Sequence, residues 1–244
     1  SIYSKSPDNK IEKNAFLSDG NKNYIFGVSP NTNIFYIERS AFEQEVQTNH
    51  GLFVYNRINK IKNDFPKIEN FYKISYYSTY HLTTDGNYLV SSLLRFDSFG
   101  GKDLYVSKRK PDGSFTAPQN LGATINTDLD EGTVCMTPDN KYIIFASNGY
   151  AGFGKEDLFI SKRLDSTWAR WSTPLNLGPA INSEEDEHNP TFNAATGELY
   201  FKRQAKDKST FLKAKLPKSF LNGFRIYEFK FKQQLGYSSL QVEI

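Results

Sequence analysis

Residues 83–136 read TTDGNYLVSSLLRFDSFGGKDLYVSKRKPDGSFTAPQNLGATINTDLDEGTVCM, and residues 137–192 read TPDNKYIIFASNGYAGFGKEDLFISKRLDSTWARWSTPLNLGPAINSEEDEHNPTF. The two stretches are copies of one sequence, because their charged and turn residues recur in the same order. Asp103 matches Asp157 at a spacing of 54 residues, and Leu121 matches Leu177 at a spacing of 56. A repeat of this length predicts a stack or ring of identical supersecondary units.

One copy predicts four short β-strands. Its apolar runs, such as KYIIFAS and DLFISKR, are rich in β-branched and aromatic residues and are separated by Gly-rich turns. Turn residues recur about every ten positions without helical periodicity, which favours antiparallel hairpins. A four-stranded sheet repeated at this spacing is the blade of a β-propeller. In the second copy the predicted strands are 132–137, 141–147, 157–163 and 171–177.

The repeat extends outward with lower fidelity, through SPNTNIFYIERS before the two copies and NAATGELYFKR after them. We therefore predict an all-β fold, a single β-propeller domain over residues 1–244 with about five four-stranded blades. A fifth blade made from both termini would close the ring; four blades with extensions, or part of a longer array, are the alternatives. The predicted repeat units are 30–83, 84–137, 138–194 and 195–220, with 1–21 and 221–244 as the closing blade or as extensions.

The composition excludes several classes of protein. The net charge is only +3, and no recognition helix, RNA-binding signature or zinc-finger spacing accompanies the lysines, so we expect no nucleic-acid partner. No apolar run approaches the ~20 residues of a membrane-spanning helix, so we expect no membrane span. Cys135 is the only cysteine, which excludes an internal disulfide and a cysteine metal cluster, and we expect its side chain to be buried.

Six polar residues recur at matched positions, and we predict structural roles for them. Asp103 and Asp157 end the Gly-rich turns, where a short carboxylate accepts backbone N–H groups of the turn. Glu131 and Glu187 fall where the chain passes between units, so we predict that they tie adjacent blades together. The loops lack the alternating Asp/Asn spacing of a calcium site, and we predict no metal and no cofactor. The full repeat signature is Asp103, Asp157, Asn120, Asn176, Glu131 and Glu187.

The sequence shows no catalytic constellation. His50, His81 and His188 occupy different places in their units and lack the spacing of zinc ligands. No G-x-S-x-G nucleophile motif is present. A glycosidase needs two facing carboxylates, but the acids that can be placed follow the repeat, whereas an active site is expected to break it. We therefore predict no catalytic residue and a protein that is not an enzyme.

The motifs GGKDLYVSKR, APQNLGATINTDLDE, GKEDLFISKR and STPLNLGPAINSEEDE resemble those of the WD-repeat-like β-propeller repeats of the Tol-system periplasmic type. They are most similar to the variant in Bacteroidetes envelope proteins, which also carry a domain like that of outer membrane protein A. The resemblance is strong over residues 84–201, whereas the N-terminal unit lacks both the Gly-Gly-x-Asp turn and the Asn-Leu-Gly motif.

The resemblance implies a propeller located in the periplasm or at the outer membrane, with the targeting segment outside this sequence. It also implies a scaffolding role among other envelope proteins, as in gliding or type IX secretion complexes. Peptidoglycan binding is expected only through domains that this sequence does not contain.

We therefore predict a non-enzymatic protein-interaction module. Propellers bind partners through loops that differ from blade to blade on a rigid frame, and aromatic residues and Arg are the usual anchors of such contacts. The alternative for each anchor is packing beneath its own turn. The alternatives for the chain are a glycan-binding or glycoside-hydrolysing five-bladed propeller and an immobile subunit of a larger membrane assembly. The expected exposed contact residues are Phe96, Phe99, Tyr150, Phe153, Trp168 and Arg170.

Overall fold

A computed structural model shows an all-β protein, with no helix in the part of the chain that it describes. Within that part, therefore, no helix has the length and apolar character to cross a membrane. By compactness the chain divides into two units, residues 1–67 with 84–86 and residues 68–83 with 87–244. The described residues are 3–5, 11–13, 22–29, 33–43, 46–216, 230–234 and 237–241.

The smaller unit contains a strand pair and one four-stranded antiparallel sheet. Its strands are β1 (Tyr3–Lys5), β2 (Ile11–Lys13), β3 (Lys22–Val28), β4 (Ile34–Glu43), β5 (Val46–Asn56) and β6 (Ile61–Asp64). β1 pairs with β2, and the sheet has the order β3-β4-β5-β6. Phe26, Ile37 and Tyr55 are buried in this unit, and the Phe26 ring lies 5.7 Å from the Phe65 ring. This sheet is an antiparallel meander of the kind that forms a propeller blade.

The larger unit contains three sheets, and the first strands of the second and third sheets lie next to the sheet before them. The first sheet consists of β7 (Thr79–Leu82), β8 (Tyr88–Leu93), β9 (Asp103–Lys108) and β10 (Gln119–Asn120). The second consists of β11 (Glu131–Met136), β12 (Tyr142–Ser147), β13 (Asp157–Lys162) and β14 (Leu175–Asn176). The third consists of β15 (Asp186–Asn193), β16 (Glu198–Gln204) and β17 (Ser209–Lys215), joined by β18 (Lys230–Gln234) and β19 (Tyr237–Gln241). β11 contacts β7, β8 and β9, and β15 contacts β11, β12 and β13. The three sheets are therefore consecutive blades.

The middle blade of the larger unit is buried on both faces. Along β12, Ile143 and Phe145 pack in the cluster shared with the preceding sheet, whereas Ile144 and Ala146 pack in the cluster shared with the following sheet. Successive side chains of a strand point to opposite faces, so a strand between two neighbouring sheets needs apolar residues at every position. This is why the YIIFA segment of β12 is continuously apolar, and Cys135 on β11 is buried as expected.

The predicted fold class is confirmed, with four blade-type sheets in the described residues, the number we gave as the alternative to five. Among the described terminal strands, β1 pairs with β2 and β19 pairs in parallel with β17; the closing blade from both termini stays a prediction. The sheets also begin earlier than the repeat units. β7, β11 and β15 each lie at the end of one predicted repeat unit but pair with β8, β12 and β16 of the next unit. The hydrogen bonds across these hairpins define where a sheet begins, whereas the predicted unit boundaries followed the best-matched turns of the sequence.

Candidate functional site

The Gly-rich turn before β9 is held from inside by Asp103. This carboxylate is fully buried, and its Oδ2 accepts the Phe99 backbone N–H at 3.0 Å and an Asn120 side-chain N–H at 2.6 Å. Burial raises the pKa of Asp103, and the two hydrogen bonds oppose that rise. The bond expected between the aspartate and the turn backbone is therefore present.

The turn before β13 repeats this arrangement. Asp157 Oδ2 accepts the Phe153 backbone N–H at 2.6 Å and an Asn176 side-chain N–H at 3.0 Å. The Phe99 and Phe153 rings remain 50% and 48% exposed. In both turns the buried carboxylate orders the backbone while the aromatic ring stays in contact with water.

A second asparagine extends each network, and the sequence reasoning missed it. Asn120 Oδ1 accepts a side-chain N–H of Asn126 at 2.8 Å, and Asn126 in turn bonds both the N–H and the carbonyl of Leu104. Asn182 bonds Asn176 and the Leu158 backbone in the same way. The signal was available, because Asn126 and Asn182 stand 56 residues apart in the matched motifs ATIN and PAIN.

The same turns lie directly against the connection that leads to the next sheet. A Cβ atom at Gly100 would collide with the Asp128 carbonyl oxygen, and one at Gly154 would collide with the Ser183 carbonyl oxygen. In the first turn, the Lys102 backbone N–H also donates to Asp130 Oδ1 at 2.7 Å. Only glycine permits this approach, so turn and connection are coupled in position.

Glu131 ties neighbouring sheets together. Its backbone N–H donates to the Lys102 carbonyl at 2.7 Å and its carbonyl accepts the Ser92 hydroxyl at 2.5 Å, both in the preceding sheet. Its carboxyl group is fully buried and accepts the Thr127 N–H at 2.9 Å, the Thr127 hydroxyl at 2.7 Å and the Ser147 hydroxyl at 2.9 Å. Burial raises the pKa of Glu131 to about 7. The bonds to the preceding blade thus come from the Glu131 main chain, whereas its carboxyl group bonds the connection and its own sheet.

Glu187 makes the matching tie one blade later, with a different partner. Its backbone N–H donates to the Glu156 carbonyl at 2.7 Å, and its carboxylate accepts the Ser183 N–H at 2.9 Å and hydroxyl at 2.6 Å. Arg203 Nε donates to the same carboxylate at 2.6 Å, and Arg203 Nη2 donates to the Ile181 carbonyl at 2.9 Å. The second repeat therefore has a guanidinium group beside its buried carboxylate, whereas the hydrogen bonds to the Glu131 carboxyl group come from an N–H group and two hydroxyl groups.

Phe96 stands on a turn that is fixed by a buried arginine. Arg95 Nε bonds Asp97 Oδ1 at 3.0 Å, and Arg95 Nη1 donates to the Tyr72 carbonyl at 3.2 Å. The Arg95 backbone N–H donates to the Ser98 hydroxyl oxygen at 3.1 Å. The Phe96 ring above this network is 86% exposed. An ordered backbone thus presents a large apolar ring to solvent.

Tyr72 forms an exposed aromatic pair with Phe96. The Tyr72 ring lies 5.9 Å from the Phe96 ring, and Arg95 Cζ lies 3.9 Å from its centroid. Burial of the guanidinium against a ring is a favourable cation–π arrangement. The sequence reasoning missed Tyr72 because it lies outside the two clear copies. It also missed Arg95, which departs from the repeat because the second copy has Gly149 at that position. The segment around Tyr72 exposes further apolar side chains, Ile74, Tyr76 and Tyr77.

The structure places the other predicted contact residues differently. The expectation that Trp168 is exposed is wrong: it is 3% exposed, with its ring 4.6 Å from that of Tyr88 in the preceding sheet. It is buried because its loop closes the gap between two sheets. Tyr150 is partly buried, and its hydroxyl donates to the Thr124 carbonyl at 2.9 Å. Arg170 is exposed, and partner binding by these residues stays a prediction.

Glu156 and His188 form a polar pair between β11 and β15. Glu156 Oε2 lies 4.0 Å from His188 Nδ1, and its carboxyl group occupies space that a Cβ at Gly132 would fill. Burial raises the pKa of Glu156 to about 7, with Asp186 and Asp130 adding to the rise and Lys102 opposing it. Across the described ranges, no group of three or more His, Cys, Asp or Glu is arranged to hold a metal ion.

Comparisons with known proteins give matches only among solved structures, since no protein-family model and no curated protein matches the sequence. TolB from Acinetobacter baumannii is similar at 13% identity with a TM-score of 0.49, over 77% of this chain and 39% of that chain. A putative TolB from Agrobacterium tumefaciens is similar at 12% identity with a TM-score of 0.49, over 78% of this chain and 60% of that chain. The periplasmic gluconolactonase of Pseudomonas aeruginosa is similar at 12% identity with a TM-score of 0.44, over 84% of this chain and 58% of that chain. The chain therefore spans less than two thirds of each of these proteins.

Proposed function

We propose that this chain is a non-enzymatic protein-interaction module that acts as a scaffold in a Gram-negative cell envelope. Its location would be the periplasm or the outer membrane, within a complex of the gliding or type IX secretion kind. The resemblance of its repeat motifs to Tol-type envelope propellers supports this proposal. The structural use of the repeated acids supports it as well, because Asp103, Asp157, Glu131 and Glu187 are all engaged in hydrogen bonds that hold turns and connections.

The single observation that carries the proposal is the exposed Phe96 ring on its immobilised turn. Interface anchors are enriched in aromatic residues, and an anchor that is ordered before binding loses little conformational entropy on docking. Arg95 is buried, and its guanidinium group bonds Asp97 and the Tyr72 carbonyl, so the turn that carries Phe96 is held in place in the free protein. The exposed Tyr72 ring, 5.9 Å from the Phe96 ring, widens the contact area.

The test compares two exposed phenylalanines in different sheets. Phe96 on its turn and Phe211 on β17 are 86% and 71% exposed. Crosslinked capture from envelope extract is expected to fall at least about ten-fold for Phe96→Ser, as for a contact worth ~1.4 kcal/mol or more, and to be unchanged for Phe211→Ser. Circular dichroism and melting temperature serve to verify that both variants are folded. Equal capture by both variants and the wild-type protein would contradict the proposal.

A second candidate function is glycoside hydrolysis or glycan binding, which the Glu156 carboxyl group favours. Burial and two neighbouring acids raise the pKa of this group to about 7, which is in the range of a general acid. A panel of chromogenic glycosides, run on the wild-type protein and on Glu156→Gln, separates the two functions. Hydrolysis that depends on Glu156, together with capture that does not depend on Phe96, would favour this second candidate.

A further inference from the structure

The outer edge of β13, which faces away from β12, is hydrogen-bonded along its length. At its start, the Leu158 N–H donates to Asn182 Oδ1 at 2.8 Å and the Leu158 carbonyl accepts the Leu177 N–H at 3.0 Å. β14 covers the middle of the edge, and the Ser172 N–H donates to the Lys162 carbonyl at 2.8 Å at its end. The edge of β9 is covered in the same way by Asn126, Leu121, β10 and Thr116. Neither strand therefore offers an open edge to another chain.

The corresponding edge of β17 is open over its first part. The Leu216 N–H donates to the Gly197 carbonyl, and main-chain groups alternate in direction along a strand, so the even-numbered residues of β17 bond β16. The N–H groups of Phe211 and Lys213 consequently point to the outer edge. β19 pairs with this edge at residues 213–214. Within the part of the chain that the structure describes, no residue bonds the Phe211 N–H.

The cover is missing because β17 begins differently from β9 and β13. An aspartate begins each of those strands and bonds the asparagine of the fourth strand, whereas β17 begins with Ser209 and Thr210. The turn before β17 is tight, since the Ala205 N–H donates to the Lys208 carbonyl at 2.9 Å. β17 therefore has no carboxylate with which to hold a fourth strand at its start.

The side chains along this edge are basic. Residues 205–216 contain four lysines and one acid, Asp207. Lys213 Nζ is bonded to Glu198 Oε1 at 2.8 Å. Lys208 and Lys215 are exposed and form no ion pair with a described residue. A strand that pairs here would lie beside positive charge, which acidic side chains complement.

A second copy of this chain does not fit the edge. Two β17 strands placed side by side would bring their lysines together, and like charges on facing strands are destabilising. Lysines on an edge strand are a known protection against self-pairing. The charges therefore favour a different chain, whose pairing strand is acidic.

We propose that the outer edge of β17 is a docking site for an extended acidic strand of a partner protein, which pairs with the main chain at Phe211 and completes the sheet. In such strand addition the main-chain hydrogen bonds supply the affinity, and the side chains supply the selectivity. The site lies in a different sheet from Phe96, so it does not depend on the binding surface proposed there.

Amide hydrogen exchange tests whether the edge is open. In the free protein, the Phe211 N–H is expected to be at least about ten-fold less protected than the Leu158 N–H, the covered outward group at the start of β13. The rates are first corrected for the intrinsic exchange of each sequence. Equal protection of the two amides would show that the edge of β17 is closed and would overturn the proposal.

A labelled, capped peptide of alternating Val and Glu is the probe for the strand. Fluorescence anisotropy is expected to show that it binds at least about ten-fold more tightly than the same peptide with N-methylated Val residues, which lack main-chain donors. It is also expected to bind at least about ten-fold more tightly than a peptide of alternating Val and Lys. The proposal is overturned if the Val-Glu peptide does not bind, or if its methylated form binds equally well.

Two substitutions at Phe211 separate the main chain from the ring. Phe211→Pro removes the outward N–H, and proline is tolerated in an edge strand where that group faces away from the sheet. This variant is expected to bind the Val-Glu peptide at least about ten-fold more weakly, whereas Phe211→Ser, which keeps the N–H, is expected to differ from wild type by less than about three-fold. Circular dichroism verifies that both are folded, and wild-type binding by a folded Phe211→Pro variant would exclude strand addition.

The double variant Lys208→Glu, Lys215→Glu tests the selectivity without altering the strand, because both side chains are exposed. Its preference for the Val-Glu over the Val-Lys peptide is expected to fall at least about ten-fold. An unchanged preference would overturn the assignment of an acidic strand. A dimer detected by light scattering and removed by Phe211→Pro would identify a second copy as the occupant and would overturn it as well.

Phe96→Ser distinguishes this site from the proposed function. The variant is expected to bind the Val-Glu peptide as the wild type does, because Phe96 lies in another sheet. Reduced binding by the folded variant would place the peptide elsewhere and overturn the docking site. Failure of peptide binding together with Phe96-dependent capture would overturn the docking site alone.

Discussion

At the scale of single residues, the protein uses buried carboxylates to fix turns and leaves aromatic rings in water. Asp157 accepts bonds from the Phe153 backbone and the Asn176 amide, so its side chain links a turn to the outermost strand of its sheet. Hydrogen bonds to a charged acceptor are stronger than neutral ones, and removing the acceptor leaves buried donors without a partner. The carboxylate is therefore a structural requirement of the turn.

Replacing Asp157 with Ala is expected to destabilise the protein by about 2–4 kcal/mol, because two donors lose their acceptor in a buried site. Urea unfolding followed by tryptophan fluorescence measures this loss. Asp128→Ala is the matched control, since that side chain is exposed, and its cost is expected to stay within about 0.5 kcal/mol. Similar costs for the two variants would show that the Asp157 network does not stabilise the turn.

At the scale of structural elements, the loop between β13 and β14 closes the space between adjacent sheets. Trp168 packs on Tyr88 of β8, and the Thr167 carbonyl accepts the Gln119 side-chain N–H at 3.0 Å. Trp168 also has a positive φ of 65°, an unusual conformation for a residue with a large side chain. Burial of the indole ring between two sheets holds the loop in that conformation.

Trp168→Ala is expected to cost about 3–5 kcal/mol of unfolding free energy, as for other large aromatic side chains removed from a core. Equilibrium unfolding in urea measures it. Leu164→Ala in the same loop is the control, because Leu164 is exposed and its loss is expected to be small. If the Trp168 variant kept the wild-type stability but no longer captured a partner, Trp168 would be a contact residue of the binding surface and not a core residue.

At the scale of the whole molecule, two ties between sheets oppose each other in their response to pH. His81 Nε2 accepts the Met136 N–H of the next sheet, and burial lowers the pKa of His81 to about 4. Its contribution to stability is present above about pH 6.5 and is lost as the pH falls to about 4. Glu131, with its raised pKa, contributes in the opposite direction between about 4.5 and 7.

Each of these two groups changes the free energy of unfolding by up to about 3 kcal/mol over its window, and the two changes have opposite signs. Glu131→Gln is expected to become more stable as the pH rises from 4.5 to 6.5, and His81→Gln is expected to become less stable. Urea titrations across this pH range measure both slopes. If each variant keeps the wild-type profile, the two side chains do not set the pH response.

The sequence by itself determined the all-β architecture, the first three strands predicted for the second copy, and the position of the turn aspartates Asp103 and Asp157 beside their own backbone. Those features are local or periodic: a turn aspartate reaches its own backbone, and an apolar strand implies cover on both faces. Periodicity fades outside the two copies, which is why Tyr72 and the pairing of the terminal strands did not follow from it.

The tertiary structure alone decided which aromatic residue faces water. Phe96 and Tyr150 occupy matched positions, yet Tyr150 turns inward with its ring 5.1 Å from that of Phe159, while Phe96 points outward. In the first copy Arg95 stands where the second has Gly149, and its guanidinium lies 5.3 Å from the Tyr105 ring, which matches Phe159. Exposure depends on whether neighbouring side chains leave room for a ring, and that room exists only after the sheets have packed.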